Sequence, residues 1–193
     1  MNDIISTIIN ILSRVFGKKQ APVGIPQESA PKYPALDIID FRKKLMGAVN
    51  TPEWQPKIDP ITKKVIETYC NKFLNAACGW FGWTSFAGVL ANQIHQMLLT
   101  DTTHWKKLDT KMNYASAMEF AAKGCLVIAS QPNPSGHGHV NVLVPEPRGI
   151  YSNKWGKEVP ICANVGGNNF YGKGINWAFA TETNLELFVY TGA

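Results

Sequence analysis

Cys70 and His139 are the residues in this chain best suited to do chemistry. Cys70 closes the β-branched run "KKVIETYC" (63–70) and opens the helical pattern "CNKFLNAAC" (70–78). A side chain at a helix start faces unpaired backbone N–H groups and the positive end of the helix dipole, which favour an anion. The thiol is therefore expected to be exposed there, with its pKa lowered toward the nucleophilic thiolate. His139 opens a second run, "HVNVLVP" (139–145), directly after the Gly-rich turn "SGHG". Strand alternation puts His139, Asn141 and Leu143 on one face and Val140, Val142 and Val144 on the other. A cysteine at a helix start, a histidine at a strand start and a polar group that holds the ring make a thiol-based acyl-transfer site. The N–H groups at the helix start would receive the developing oxyanion.

The remaining cysteines and histidines admit other readings. Cys78 lies eight residues after Cys70, two turns down the same helix, and is expected to pack inward. Cys125 and Cys162 fall on predicted strands that can be neighbours, so a disulfide between them is an alternative in an oxidising compartment. The chain has no C-x-x-C pair, which argues against structural zinc. His137 precedes His139 by two, so both rings can share a face; with Cys70 they offer a metal-binding alternative with no further ligand at a supporting spacing. No metal and no cofactor are expected. His95 and His104 read as surface or partly buried structural residues. The segment "CGWFGWTSF" (78–86) sets Trp80 and Trp83 among glycines close in sequence to Cys70. Their flat rings suit either core closure or the wall of a groove for sugar or peptide, and Trp155 and Trp177 could serve similarly.

The elements that must position these residues change character along the chain. Residues 3–16 carry Ile4, Ile5, Ile8, Ile9, Leu12, Val15 and Phe16 at helical spacing, giving an amphipathic N-terminal helix within residues 1–19. At ~1.5 Å per residue it is too short to cross a bilayer, and it lacks the pattern of a Sec signal peptide. It reads as a docking helix or a membrane-surface helix. Residues 20–34, with four prolines, read as an extended linker. The domain spans 35–193: predicted helices at 36–49, from Cys70, over 85–100 and over 113–124, then predicted strands at 125–130, 139–145, 159–165 and 185–191. Helices first and an antiparallel meander afterwards predict an α+β fold. The net charge of +5 favours anionic partners, and no clustered Lys/Arg helix or RNA-reading motif points to nucleic acid.

The blocks "TYCNKF" (68–73), "AAKGCLVIASQ" (121–131), "GHGHVNVLV" (136–144) and "VPICANVG" (159–166) resemble, in order, those of the NlpC-type and CHAP-type papain-like cysteine peptidases, which cleave amide bonds of bacterial peptidoglycan. The resemblance covers roughly residues 60–180, with "NNFYGKGINWAF" (168–179) also in keeping. It implies a papain-like domain with helices packed on an antiparallel sheet. Cys70 matches the nucleophile and His139 the general base. Asn164 matches the third position, with Asn168 and Asn169 close by, so that Asn168 stays open as an alternative. The backbone N–H of Cys70 would form part of the oxyanion hole, and the flanking Tyr69 and Asn71 are candidate donors. The chain departs from the family at Cys125, where an Asp is usual, which removes a carboxylate from the site.

The resemblance implies a peptidoglycan amidase or endopeptidase acting on the stem peptide or the muramoyl-alanine bond, in a phage lysin, a virion-associated hydrolase or an antibacterial effector. Its partner would be peptidoglycan at the bacterial cell wall, reached by lysis, a virion or a secretion machine. The N-terminal helix would engage an anionic envelope surface. Two other readings use the same fold: a cell-wall binding module without catalysis, and a lipid acyltransferase or thioesterase.

Overall fold

Asp37 starts the first helix: its carboxylate accepts from the N–H groups of Ile39 and Asp40 at 3.0 Å each, the N-cap role that satisfies otherwise orphaned donors. The structure, a computed structural model, describes residues 33–110 and 114–192. Helix α1 (Ile38–Val49) buries Phe41, Leu45, Ala48 and Val49. Helix α2 (Cys70–Gly79) buries Cys70, Phe73, Leu74, Ala77 and Cys78. Helix α3 (Ala91–Thr100) buries Ala91, Ile94, His95 and Leu98, and α4 (Ala115–Ala122) buries Ala117 and Ala121. In each of the first three the buried residues recur three and four apart, the stripe that seats a helix on a core. The helix predicted over 85–100 begins only at Ala91, because residues 85–88 form a turn ending at Gly88, with φ of 74°.

The strands are β1 (Lys57–Ile58), β2 (Val65–Glu67), β3 (Trp105–Leu108), β4 (Val127–Gln131), β5 (His139–Leu143), β6 (Ile150–Ser152), β7 (Lys157–Val159), β8 (Ile161–Asn164), β9 (Phe170–Gly174) and β10 (Glu186–Tyr190). Six of them form an antiparallel sheet in the order β3-β10-β4-β5-β8-β9, while β1 with β2 and β6 with β7 make separate hairpins. The chain is therefore a mixed α+β fold with antiparallel sheets, as expected. The simple meander is corrected: the last strand, β10, inserts between β3 and β4. The predicted strand over 159–165 is divided at Pro160, with β7 before it and β8 after it. Strands β3 and β9 escape a pattern reading because both are edges. β3 exposes Lys106 and Lys107 in its middle, and β9 carries Gly172 and Gly174; charges and glycines are what edges tolerate and central strands avoid.

Both faces of the sheet are covered. Ile128, Val140, Val142, Ala163 and Phe188 join the core beneath α1, α2 and α3. Val127, Ala129, Leu143, Cys162 and Leu187 join a second core with α4, Ile175 and Phe179. Two covered faces explain why these strands read as continuous apolar runs instead of clean alternations. All four cysteines are free and buried. Cys125 and Cys162 do not form the disulfide considered above: β5 lies between β4 and β8, so the strands are not neighbours.

The predicted 1–19 helix and the linker through residue 32 lie outside the described residues. Tyr33 and Pro34, the end of the predicted linker, belong to the folded unit that starts at Tyr33. Tyr33 packs edge-on against Phe120 at 4.8 Å, Leu36 N–H donates to Gly124 O at 3.0 Å, and Ala35 bridges to Cys125. Gly124 is required there twice over: its φ is +79°, and a Cβ would stand 2.2 Å from Leu36 O. Gly124→Ala is expected to lower unfolding stability by about 1–3 kcal/mol, a strained left-handed backbone plus a displaced strand contact. Urea titration with far-UV circular dichroism measures it; an unchanged midpoint would show that the 33–36 segment is not held as described.

Candidate active site

Strands β5 and β8 pair at Leu143↔Cys162 and Val142↔Ala163, and there the ladder stops. Val144 N–H donates to Ile161 O on β8. The N–H groups at 142 and 140 share its parity and point the same way. At Val140 strand β8 has moved off, and the Val140 N–H faces the sulfur of Cys70 instead. The start of α2 thus reaches the open end of the sheet, one residue along β5 from His139.

His139 and Asn164 are brought together directly: His139 Nε2 lies 2.6 Å from Asn164 Oδ1. The amide is oriented by its other end, since Asn164 Nδ2 donates to Asn168 O at 2.8 Å. Oδ1 can only accept, so Nε2 carries the proton and Nδ1 keeps its lone pair. The neighbouring asparagines have other work. Asn168 supplies only its carbonyl to this network. Asn169 Oδ1 accepts from Gly166 N–H at 2.9 Å, while its Nδ2 reaches Val49 O and Trp54 O. That arrangement pins the turn after β8 beside the imidazole. A Cβ on Gly166 would sit 3.0 Å from His139 Cε1, so any larger residue there would have to displace the ring by a few tenths of an ångström. Phe179 covers the ring at a centroid distance of 5.1 Å.

The thiol departs from expectation. Cys70 is 6% exposed, and burial raises its pKa above the usual 9.0 even though the N–H groups of Val140, Asn71 and Cys70 itself act to lower it. Three backbone donors thus do not offset desolvation. Burial also lowers the pKa of His139 below 6.5, against the opposing effect of the Asn164 hydrogen bond. Both shifts favour uncharged forms, and no hydrogen bond joins the sulfur to the imidazole. With Nε2 engaged by Asn164, Nδ1 of His139 is left able to accept a proton.

Cys70 opens onto a cleft of about 370 Å³ between Thr68 and Asn71, residues 90–93 of the α3 start, and residues 136–138. His139 lines a separate cavity of about 320 Å³ with Gln131, Thr181 and Thr183. The exposed His137 belongs to both walls, and to a third cavity of about 490 Å³ beside the β1–β2 hairpin. The loop bearing His137 is clamped by Asn92, which pattern reading missed. Asn92 Nδ2 donates to Asn133 O and Gly136 O at 3.0 and 2.9 Å, and its Oδ1 accepts from Asn133 N–H. A Cβ on Gly138 would lie 2.3 Å from Asn92 Oδ1 and 3.0 Å from Gln131 O, which explains the glycine there.

The other expected contributors are placed as follows. Asn71 walls the Cys70 cleft, and its Nδ2 donates to Val89 O at 2.9 Å. Tyr69 is buried, with Lys72 Nζ over its ring at 4.7 Å. Trp80 and Trp83 follow the far end of α2, about 15 Å from Cys70 at the helical rise. Trp80 meets Phe41, and Trp83 packs among Phe86, Trp105 and Tyr190; they close the core and wall no groove at Cys70. His95 is buried against Ser130 Oγ at 3.0 Å, and His104 pairs with Asp101. Among the described residues no group of three His, Cys, Asp or Glu side chains could hold a metal ion. No family model matches the chain, and no curated protein is significantly similar to it.

Two measurements follow from this geometry. Gly166→Ala is expected to push the imidazole off Asn164: the exchange-protected Nε2–H proton resonance of His139 should disappear from the NMR spectrum while stability changes by no more than about 1 kcal/mol. Survival of that resonance would place the ring elsewhere. Alkylation of Cys70 by iodoacetamide, followed by peptide mass spectrometry, should accelerate continuously as pH rises through 9, because the thiolate reacts and the thiol pKa is raised. A rate plateau between pH 6 and 8 would instead mean a preformed thiolate–imidazolium pair.

Proposed function

We propose that the protein is a thiol-dependent amidase of the papain-like type that cleaves an amide bond in peptidoglycan. The observation carrying the reading is the His139–Asn164 pair at 2.6 Å, which leaves Nδ1 as a base one residue from the N–H group facing Cys70. The catalytic residues are Cys70, His139 and Asn164. His139 Nδ1 takes the thiol proton as the sulfur attacks the scissile carbonyl. The resulting oxyanion is stabilised by backbone N–H groups at the start of α2. The imidazolium then protonates the leaving amine, giving a thioester, which water hydrolyses with His139 again as base. Asn164 holds the tautomer throughout without adding a charge. Sulfur and imidazole line adjoining cavities that share His137 as a wall.

The substrate would be the stem peptide or the muramoyl-alanine bond, and the site of action the cell wall. This assignment rests on the resemblance of the four sequence blocks and on the net charge of +5, which suits an anionic polymer.

A second reading has one observation in its favour. A thiol and an imidazole that make no hydrogen bond to each other equally suit a module that binds cell wall in the cleft without cutting it. Purified sacculi separate the two. Wild type is expected to release muropeptides with a new amine terminus, and Cys70→Ser or His139→Ala to reduce the rate at least about 1,000-fold while still binding. Binding by the wild type with no new amine would establish the module; equal release by Cys70→Ser would remove the thiol from the chemistry.

A further inference from the structure

The β1–β2 hairpin is apolar on the outside. Ile58, Ile61, Val65 and Ile66 are 54%, 88%, 43% and 64% exposed, and every residue of its two strands is exposed. Ile58 and Val65 are cross-strand partners, so they share a face; Ile66, next in the strand, occupies the other. Ile61 stands in the turn between them. Exposed apolar side chains this close together mark an interaction surface.

The distribution selects the partner. A protein groove covers one face of a ribbon and leaves the other in water, whereas this hairpin carries isoleucine on both faces and at its tip. An amphiphilic medium that surrounds the tip accommodates all of them. The charges agree. Lys57 is paired with Glu67. The Asp59 carboxylate accepts the N–H groups of Ile61 and Thr62 within the turn. Lys63 and Lys64, separated from Ile61 by Thr62, have no anionic partner among the described residues. Two free cations flanking an apolar tip complement anionic headgroups above an acyl layer.

We propose that the β1–β2 hairpin is a membrane-interface anchor that seats on an anionic phospholipid surface, with the side chain of Ile61 at the acyl boundary and Lys63 and Lys64 among the phosphates. The outer edges of this two-stranded ribbon keep unpaired backbone groups, so it rests in the hydrated headgroup layer and does not enter the hydrocarbon. Val65 and Ile66 also wall the 490 Å³ cavity that adjoins the Cys70 cleft through Thr68, Asn71 and Leu90. Seating the hairpin therefore brings the cleft to headgroup level. The proposal is independent of the amide-cleavage reading, since it concerns binding alone.

The full-length chain is tested by co-sedimentation with vesicles of phosphatidylcholine, with and without phosphatidylglycerol. Wild type is expected to bind the anionic vesicles, less tightly as salt rises. Ile61→Asp should weaken that binding about ten-fold or more. Lys63→Gln combined with Lys64→Gln should weaken it about ten-fold on anionic vesicles and not on neutral ones. Residues 1–32 are the same in all variants, so the comparison isolates the hairpin, and matching thermal melts exclude unfolding of these exposed positions. Binding by Ile61→Asp within two-fold of wild type, or no binding by wild type, overturns the proposal. So does a wild-type dimer in sedimentation equilibrium that Ile61→Asp dissociates without any change in vesicle binding.

Discussion

The candidate site exists because β5 and β8 stop pairing after Val142↔Ala163. Below that point the ladder satisfies the backbone and both sheet faces are filled with side chains. Above it, a strand N–H is left facing the helix layer, and Cys70 meets it. On β8 the same divergence carries Asn164 to where its amide oxygen meets the imidazole. The turn beyond, held by Asn169, brings Gly166 close against the ring. Helix start, strand start and turn are thus positioned by one event in the sheet, and a register change there would separate all three.

The electrostatics follow from burial more than from the helix terminus. A thiol at the start of α2 has three N–H groups to favour its anion, yet desolvation outweighs them, and the nearby imidazole is pushed the same way, toward neutrality. In the proposed reaction the pair would form its charges together, by a proton moving from sulfur to nitrogen as substrate replaces water. Such a reaction would need a base with a fixed tautomer more than a preformed thiolate, and the Asn164–Asn168 relay fixes that tautomer.

Much of the fold was legible in the sequence, and the exceptions have physical causes. The 36–49 periodicity and Gly124 marked helices by their own local chemistry, whereas the cap at Asp37 was seen only in the structure. The β-branched runs at 125–130, 139–145 and 185–191 marked strands, because residues that fill both faces of a covered sheet leave an unmistakable apolar stretch. Edge strands leave no such trace. In β3 the lysines point to water, and β9 is largely glycine and polar. The insertion of β10 between β3 and β4 was also invisible, since strand order is decided by contacts between residues some eighty positions apart.

Residue types and order along the chain determined by themselves that a cysteine starts a helix, that a histidine starts a strand after a Gly-rich turn, and that one asparagine falls in the next central strand with two more just beyond it. These are consequences of local backbone preference and of periodicity. Only the tertiary structure decided which asparagine faces the ring, that Trp80 and Trp83 belong to the core, that Asn92 clamps the His137 loop, and that burial outweighs the backbone donors in raising the pKa of the thiol. Each of these depends on what stands across a gap of a few ångströms from a residue distant in sequence, and on how much water that neighbour excludes.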